Sequence, residues 1–171
     1  PPAGARGTVQ TYVHRLRRRF GRPDLITTDG DGYLINVPPG ALDLHRFRSL
    51  LGRADEAADP VAESAHLRAA LAVWRGPALA DVASAPLEAY ALALDEERLR
   101  VIERSVDAEL SLGRHADLIP QLRGLTTEHP LRERFWQQLM LALYRSGRQA
   151  EALEAFPRSE ERRVGKECRS R

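Results

Sequence analysis

"AELSLGRHADLIPQL" (Ala108–Leu122) and "ALYRSGRQAEALEAF" (Ala142–Phe156) are two versions of one pattern, and their spacing decides the fold class. Ala108 falls on Ala142, Gly113 on Gly147, Arg114 on Arg148 and Ala116 on Ala150, each pair 34 residues apart. That is the period of the tetratricopeptide repeat, a helix–turn–helix unit that buries its apolar face against its neighbours. The small Ala and Gly residues predict close approach of antiparallel helices, and His129-Pro130 marks the end of the first unit.

Outward from the repeat, the chain reads as helical from Leu42 onward. Candidate helices cover 43–57, 60–74, 86–112, 115–128, 131–146 and 149–156, separated by Gly, Pro or Asp. Trp74 follows Leu67, Ala70 and Leu71 at helical spacing, and Trp136 lies beside Phe135 near Leu139 and Met140. Both indoles are therefore expected in the core rather than in a ligand cage. Asp95, Glu96 and Glu97 on the long helix are expected to form a solvated face.

The N-terminal part has a different pattern. Val9, Val13, Leu16 and Phe20 form one apolar stripe on a helix over 8–20, which Gly21 and Pro23 end. Within it, "TYVHRLRRRF" (Thr11–Phe20) holds five His or Arg residues among ten and no acid. At about 100° per residue, Thr11, His14, Arg15 and Arg18 fall opposite the stripe. The next stretch, "LITTDGDGYLINVPPGALD" (Leu25–Asp43), places β-prone runs at Leu25–Thr28 and Tyr33–Val37 around Asp-Gly-Asp-Gly, a hairpin signal. Pro38, Pro39 and Gly40 close it. A run of charge is usually a solvated face. Here the helix lacks compensating acids, its apolar stripe is narrow, and a hairpin follows at once, as in a winged helix. Exposed Arg can hold phosphates or read guanine through two hydrogen bonds, and Thr and His add polar contacts.

Composition sets the remaining bounds. The 171 residues are 43% hydrophobic and 29% charged, enough for one domain or two small ones with a real core. The net charge of +2 conceals an asymmetry. Residues 1–22 carry six Arg and no acid, residues 157–171 carry six Arg or Lys against three Glu, and the stretch between is net acidic. One cysteine excludes an internal disulfide and a Cys-rich metal site. No apolar run approaches a membrane span and no signal peptide opens the chain, so no membrane role and a cytoplasmic location are expected. Arg outnumbers the single Lys so heavily that a GC-rich bacterial coding sequence is indicated. The opening Pro-Pro-Ala-Gly, without Met, reads as the start of a fragment. In the tail "PRSEERRVGKECRSR" (157–171) the apolar periodicity stops, and the lone Lys166 and Cys168 fall there; it reads as foreign or misread sequence rather than a genuine basic tail.

No motif for catalysis emerges. His45, His66, His115 and His129 lack metal-ligand spacing, Cys168 has no nearby His, and there is no Gly-x-Ser-x-Gly or phosphate-binding glycine loop. Gly30-Asp31-Gly32 is better read as the hairpin turn. No enzyme activity, cofactor or metal is expected.

Taken together, "TVQTYVHRLRRRFG" followed by "LITTDGDGYLINV" resembles the recognition helix and wing of the OmpR/PhoB-type winged helix. "LRAALAVWRGPALADV" and "EHPLRERFWQQLMLALYRSGRQAEALEAF" resemble the bacterial transcriptional activator domain. In this order, over about residues 6–156, they resemble the Streptomyces antibiotic regulatory protein family of AfsR/DnrI/EmbR-like activators. The resemblance implies a mainly α fold: tetratricopeptide-like antiparallel repeats (41–156) preceded by the recognition helix (8–20) and wing (25–37) of a truncated winged-helix domain (1–40). It places Thr8, Thr11, Tyr12 and Arg15 at bases and His14, Arg17 and Arg18 at phosphates. Gly32 and Tyr33 match the Gly-Tyr that closes the wing, with Tyr33 packing inward. Promoter DNA, bound at direct repeats through the major groove, is the implied partner; the helical body would dimerise or contact RNA polymerase.

Two departures qualify the transfer. Asp29 and Asp31 stand where the family's wing often bears Arg, which argues against a minor-groove contact by the tip. The first strands and two helices of a winged helix would precede Pro1, so the apolar stripe is expected to lack its packing partner and the fragment to bind DNA poorly. The rival reading is a tetratricopeptide-type protein-interaction adaptor without DNA binding of its own.

Overall fold

The computed structural model describes residues 4–38, 40–80 and 84–155. The reading of 157–171 as foreign sequence, and Phe156 with it, lies outside the described residues. The chain forms two compact units divided between Arg46 and Phe47.

In the first unit, helix α1 spans Ala5–Phe20 and starts three residues before the expected Thr8. Ala5 and Arg6 favour helix and the turn forms despite Gly7, so the break falls instead at Gly4, whose φ of 96° is left-handed. Gly21, also left-handed, ends the helix with its N–H on the Arg18 carbonyl. Arg17, Arg18 and Arg19 occupy the last turn, where the carbonyl end of the helix dipole favours cations. One 3-10 turn (Pro23–Leu25) leads into strands β1 (Ile26–Asp29) and β2 (Gly32–Ile35). Ile26 pairs with Ile35, Thr27 with Leu34, Thr28 with Tyr33 and Asp29 with Gly32. The strands are shorter than expected. Leu25 is absorbed by the 3-10 turn, and Asn36 ties the hairpin base by donating its amide to Leu25 O at 2.7 Å and its side chain to Asp24 O at 3.0 Å.

Four-residue strands cannot cover a sixteen-residue helix. Of the stripe on α1 only Val13 is buried, while Val9, Leu16 and Phe20 stay exposed.

The second unit is built from helices. They are α2 (Asp43–Asp55), α3 (Pro60–Leu71), α4 (Ala85–Ser111), α5 (His115–Glu128), α6 (Glu133–Arg145) and α7 (149–155). Pro60 opens α3, and Asp59 caps it by accepting from Val61 N and Ala62 N at 2.9 and 2.8 Å. Val106, Leu110, Leu118, Ile119, Leu122, Leu139, Leu143 and Ala152 join α4 through α7 in one core with Trp136. The Trp136 indole N–H donates to Pro130 O at 3.1 Å.

The repeat is visible in the backbone. Gly113 (φ 82°) and Gly147 (φ 78°) make the same helix end. Gly113 N reaches Leu110 O and Arg114 N reaches Glu109 O; Gly147 N reaches Tyr144 O and Arg148 N reaches Leu143 O. This is the left-handed C-cap pattern that satisfies last-turn carbonyls. It corrects the reason given for these glycines. A Cβ at either position would meet nothing within 4 Å, so their left-handed φ, not helix approach, selects them. Close packing applies to Ala108 and Ala142, which are buried; Ala116 and Ala150 are exposed.

Two further expectations change. Trp74 lies past the end of α3 and is only half-buried. Its ring meets Phe47 edge-on at 5.5 Å and carries the Arg98 guanidinium 5.3 Å above it. Glu96 and Glu97 are not merely solvated. Glu96 accepts from Arg132 at 2.9 Å, and Glu97 holds Arg48 through two bonds of 3.1 and 2.9 Å.

Among the described residues, the buried carboxylate of the unit is Glu109 on α4. It accepts from the Ser64 hydroxyl on α3 and from Arg114 at 2.7 Å, with Arg68 at 3.7 Å. Burial raises its pKa, but the Ser64 hydrogen bond and the two arginines outweigh that and hold it below the ordinary carboxylate value. Its contribution to stability is therefore present above the unfolded-state pKa and lost as pH falls through the lower folded value. Denaturation midpoints taken between about pH 6 and about pH 3 should fall more steeply for the wild type than for Glu109→Gln. Parallel profiles would contradict this role.

Candidate nucleic-acid interface

The helical turn sorts the side chains of α1. At about 100° per residue, Thr8, Thr11, Tyr12, Arg15, Arg18 and Arg19 lie within about 60° of one direction, with His14 at the margin. Arg6, Val13 and Arg17 lie on the opposite side, spaced seven and four residues apart. The structure agrees with this geometry. Thr8, Thr11, Tyr12, His14, Arg15, Arg18 and Arg19 are all exposed, Val13 is buried and Arg17 is half-buried.

Among the described residues, no ion-pair partner is found for Arg15, Arg18 or Arg19, so a run of unneutralised guanidinium groups lines the exposed face. The hydroxyls of Thr8 and Thr11 donate to the carbonyls of Gly4 and Gly7 at 3.2 and 3.0 Å. In that arrangement each hydroxyl offers its lone pairs outward, which suits a base amino group rather than a base carbonyl.

Arg17 is placed differently from the phosphate contact expected of it. Its Nε donates to Ile26 O at 2.7 Å, and one terminal nitrogen donates to Thr28 Oγ1 at 3.2 Å. The guanidinium also lies 5.9 Å from the centre of the Tyr33 ring. The side chain thus fastens the helix to both strands of the hairpin. The signal was its position, four residues beyond Val13 on the same side; composition alone could not separate it from Arg15 or Arg18. Tyr33 does not pack inward as expected. It is 36% exposed, with Arg17 over its ring.

Two residues of this region were missed in the sequence. Arg19 shares the exposed face with Arg15. Arg6, in the first turn, forms an ion pair with Asp31 at the hairpin tip. The tip is the two-residue turn Gly30-Asp31, with Gly30 at φ 55°.

Among the described residues no group of His, Cys, Asp and Glu could hold a metal ion, and no helix is long and apolar enough to cross a membrane.

Comparison with known proteins supplies the context. A family model described as the bacterial transcriptional activator domain matches residues 42–164. The regulatory protein DnrI of Streptomyces peucetius is 41% identical over 170 residues, covering 91% of this chain and 62% of its own length. The regulatory protein AfsR of Streptomyces griseus is 40% identical, and the match covers 91% of this chain and 16% of that protein. A solved structure of Mycobacterium tuberculosis EmbR, in complex with a low-affinity phosphopeptide, superposes with a TM-score of 0.86 at 37% identity. It covers 93% of this chain and 44% of the EmbR chain. The chain thus spans less than two thirds of the length of these relatives.

The position of Arg17 yields a direct test. Arg17→Ala should loosen the hairpin without uncovering the rest of the helix. Hydrogen exchange of the Asn36 amide is expected to accelerate about tenfold, the loss of roughly one charge-assisted bond. Arg15→Ala should leave that amide unchanged; equal acceleration in both variants would refute the distinction.

Proposed function

Since the chain belongs to the bacterial transcriptional activator domain family, of the Streptomyces antibiotic regulatory protein type, we propose that it acts in a DNA-binding transcriptional activator, with α1 as its reading helix. Residues 1–40 form the winged-helix part of this reading and 41–156 the tetratricopeptide-like activator domain. The single observation that carries it is the exposed face of α1, where Arg15, Arg18 and Arg19 stand without a neutralising acid among the described residues. A helix face of this kind fits the major groove of duplex DNA.

Arg15, Thr8, Thr11 and Tyr12 are assigned to base edges. Arg18, Arg19 and His14 are assigned to phosphates. Arg17, fastened to Ile26 and Thr28, sets the angle between helix and hairpin. The phosphate contacts supply affinity that falls with salt as counterions are released. The helical body, built from repeats that commonly present extended binding surfaces, dimerises or contacts RNA polymerase. The regulator works in the cytoplasm, where promoter DNA is reached, and without enzymatic activity of its own.

The test is binding of the full chain, expected to be weak because Val9, Leu16 and Phe20 stay uncovered, to a fluorescein-labelled, mixed-sequence duplex of about 30 bp, long enough to span a site of two half-sites, across a salt series that starts at low salt. Affinity should fall linearly with salt on logarithmic axes. The double change Arg15→Ala and Arg18→Ala should abolish binding near physiological salt and flatten the slope by about two contacts at low salt. Binding that survives this change intact would remove α1 from the reading role. A chain that ignores duplex DNA yet retains a protein partner would favour the adaptor reading.

A further inference from the structure

We infer that Asp31, at the tip of the β1–β2 turn, sets the number of phosphates that α1 can neutralise, by holding Arg6 in an exchangeable ion pair. The inference rests on the DNA-binding reading and names a residue that limits it.

Three observations support it. The first is the pairing itself. Arg6 and Asp31 are 25 residues apart in sequence, yet the hairpin folds back along α1 and brings the tip carboxylate to the first turn. Among the arginines of α1, Arg6 is the one for which an acid partner is found among the described residues; Arg17 bonds to neutral oxygens. The second is exposure. The Arg6 and Asp31 side chains are 75% and 93% exposed, so water solvates both ions and the pair is weakly held. A phosphate offers the same guanidinium a competing pair of oxygens.

The third is the environment of the helix start. The first turn of α1 contains no acid, and no side chain caps its free N–H groups. Helix N-termini of this kind attract phosphate through their amides and dipole. Among the described residues, Asp31 is the acid found at this end of the helix. Asp29, two residues earlier, adds a second tip carboxylate with no ion pair among the described residues.

When duplex DNA approaches the first turn, Arg6 has two anionic claimants. Transfer to phosphate would leave Asp29 and Asp31 bare beside the backbone, and like-charge repulsion opposes that. The ion pair therefore withholds one phosphate contact and lowers sequence-independent affinity. Specific base contacts by Arg15, on the far side of the helix, are untouched. Asp31 thereby favours discrimination over raw affinity.

The experiment compares wild type, Asp31→Asn, Arg6→Ala and the double variant in the same duplex titration across salt. Neutralising Asp31 frees Arg6 for one more phosphate, so the slope should steepen by about 0.9. The affinity advantage of Asp31→Asn should accordingly shrink by about 3.5-fold between about 50 mM and about 200 mM salt. In the Arg6→Ala background, Asp31→Asn should leave the slope unchanged. Protection of the Asn36 amide, retained in each variant, shows that the hairpin persists.

An unaltered slope in Asp31→Asn, with salt-dependent binding by the wild type, overturns this inference alone. Equal gains in both Arg6 backgrounds also overturn it, because Asp31 would then act by repulsion only. Absence of salt-dependent binding by the wild type overturns it together with the DNA-binding reading.

Discussion

The second unit depends on one helix, α4, and on how its charges are met. Along 27 residues it presents carboxylates or arginines to every element packed around it. Arg48 of α2 holds Glu97, Arg132 ahead of α6 holds Glu96 and Glu103, and Arg134 of α6 holds Asp107. In the other direction Arg104 reaches Asp55 and Glu63 on α2 and α3. The more exposed of these, Arg48–Glu97 and Arg134–Asp107, contribute little stability individually, about 0–1 kcal/mol. The buried aliphatic core supplies most of it, at roughly 25 cal/mol per Å² of apolar surface. What the pairs add is register. An apolar helix face tolerates sliding, whereas Gln138 bonded to both Glu103 O and Asp107, each at 2.8 Å, admits one position.

Arginine does opposite work in the two units, and the difference comes from where acids are placed. In the helical unit most arginines meet a carboxylate from another helix. On α1 the acids are absent, so the position on the helical turn decides each fate. Arg17 turns toward the hairpin and becomes a fastener; Arg15, Arg18 and Arg19 turn away and meet no acid among the described residues. Val13 explains why the fastener is needed. With Val13 and Ile26 as the buried apolar residues among the described residues of this unit, hydrophobic contact alone holds the hairpin weakly, and the bond from Arg17 to Ile26 O supplies direction that two side chains cannot.

Most of this was legible in the sequence, for identifiable reasons. Helix positions followed from apolar periodicity and from Gly and Pro, because burial of one face imposes a period that no other structure shares. Asp-Gly-Asp-Gly announced the hairpin because a two-residue turn needs the positive φ that Gly30 adopts. What failed to show was partnership across long separations. Glu96 and Glu97 look solvated on a wheel, and nothing local announces that Arg132 and Arg48 lie opposite. Arg17 looked like its neighbours because composition is blind to direction. Gly113 and Gly147 were found by their period but explained by the wrong cause, since a glycine selected for φ and one selected for space look alike in one sequence. Trp74 misled because helical spacing was extended past Leu71, where α3 stops.

The charge asymmetry bears on how a regulator of this design would find DNA. The net charge of +2 predicts almost no attraction. Attraction, however, is set by local potential within about a Debye length, roughly 8–10 Å in ordinary salt. At that range a duplex meeting α1 would see three guanidinium groups with no acid partner among the described residues, while in the helical unit many arginines, such as Arg48, Arg104, Arg132 and Arg134, are paired with Glu or Asp. Under the proposed DNA-binding reading, encounters would be oriented before contact, with the acid-free exposed face of α1 foremost. The Asp31–Arg6 pair extends the same logic to one end of that helix. It trims the field at the first turn, so that attraction centres on Arg15, Arg18 and Arg19 rather than on the hairpin tip.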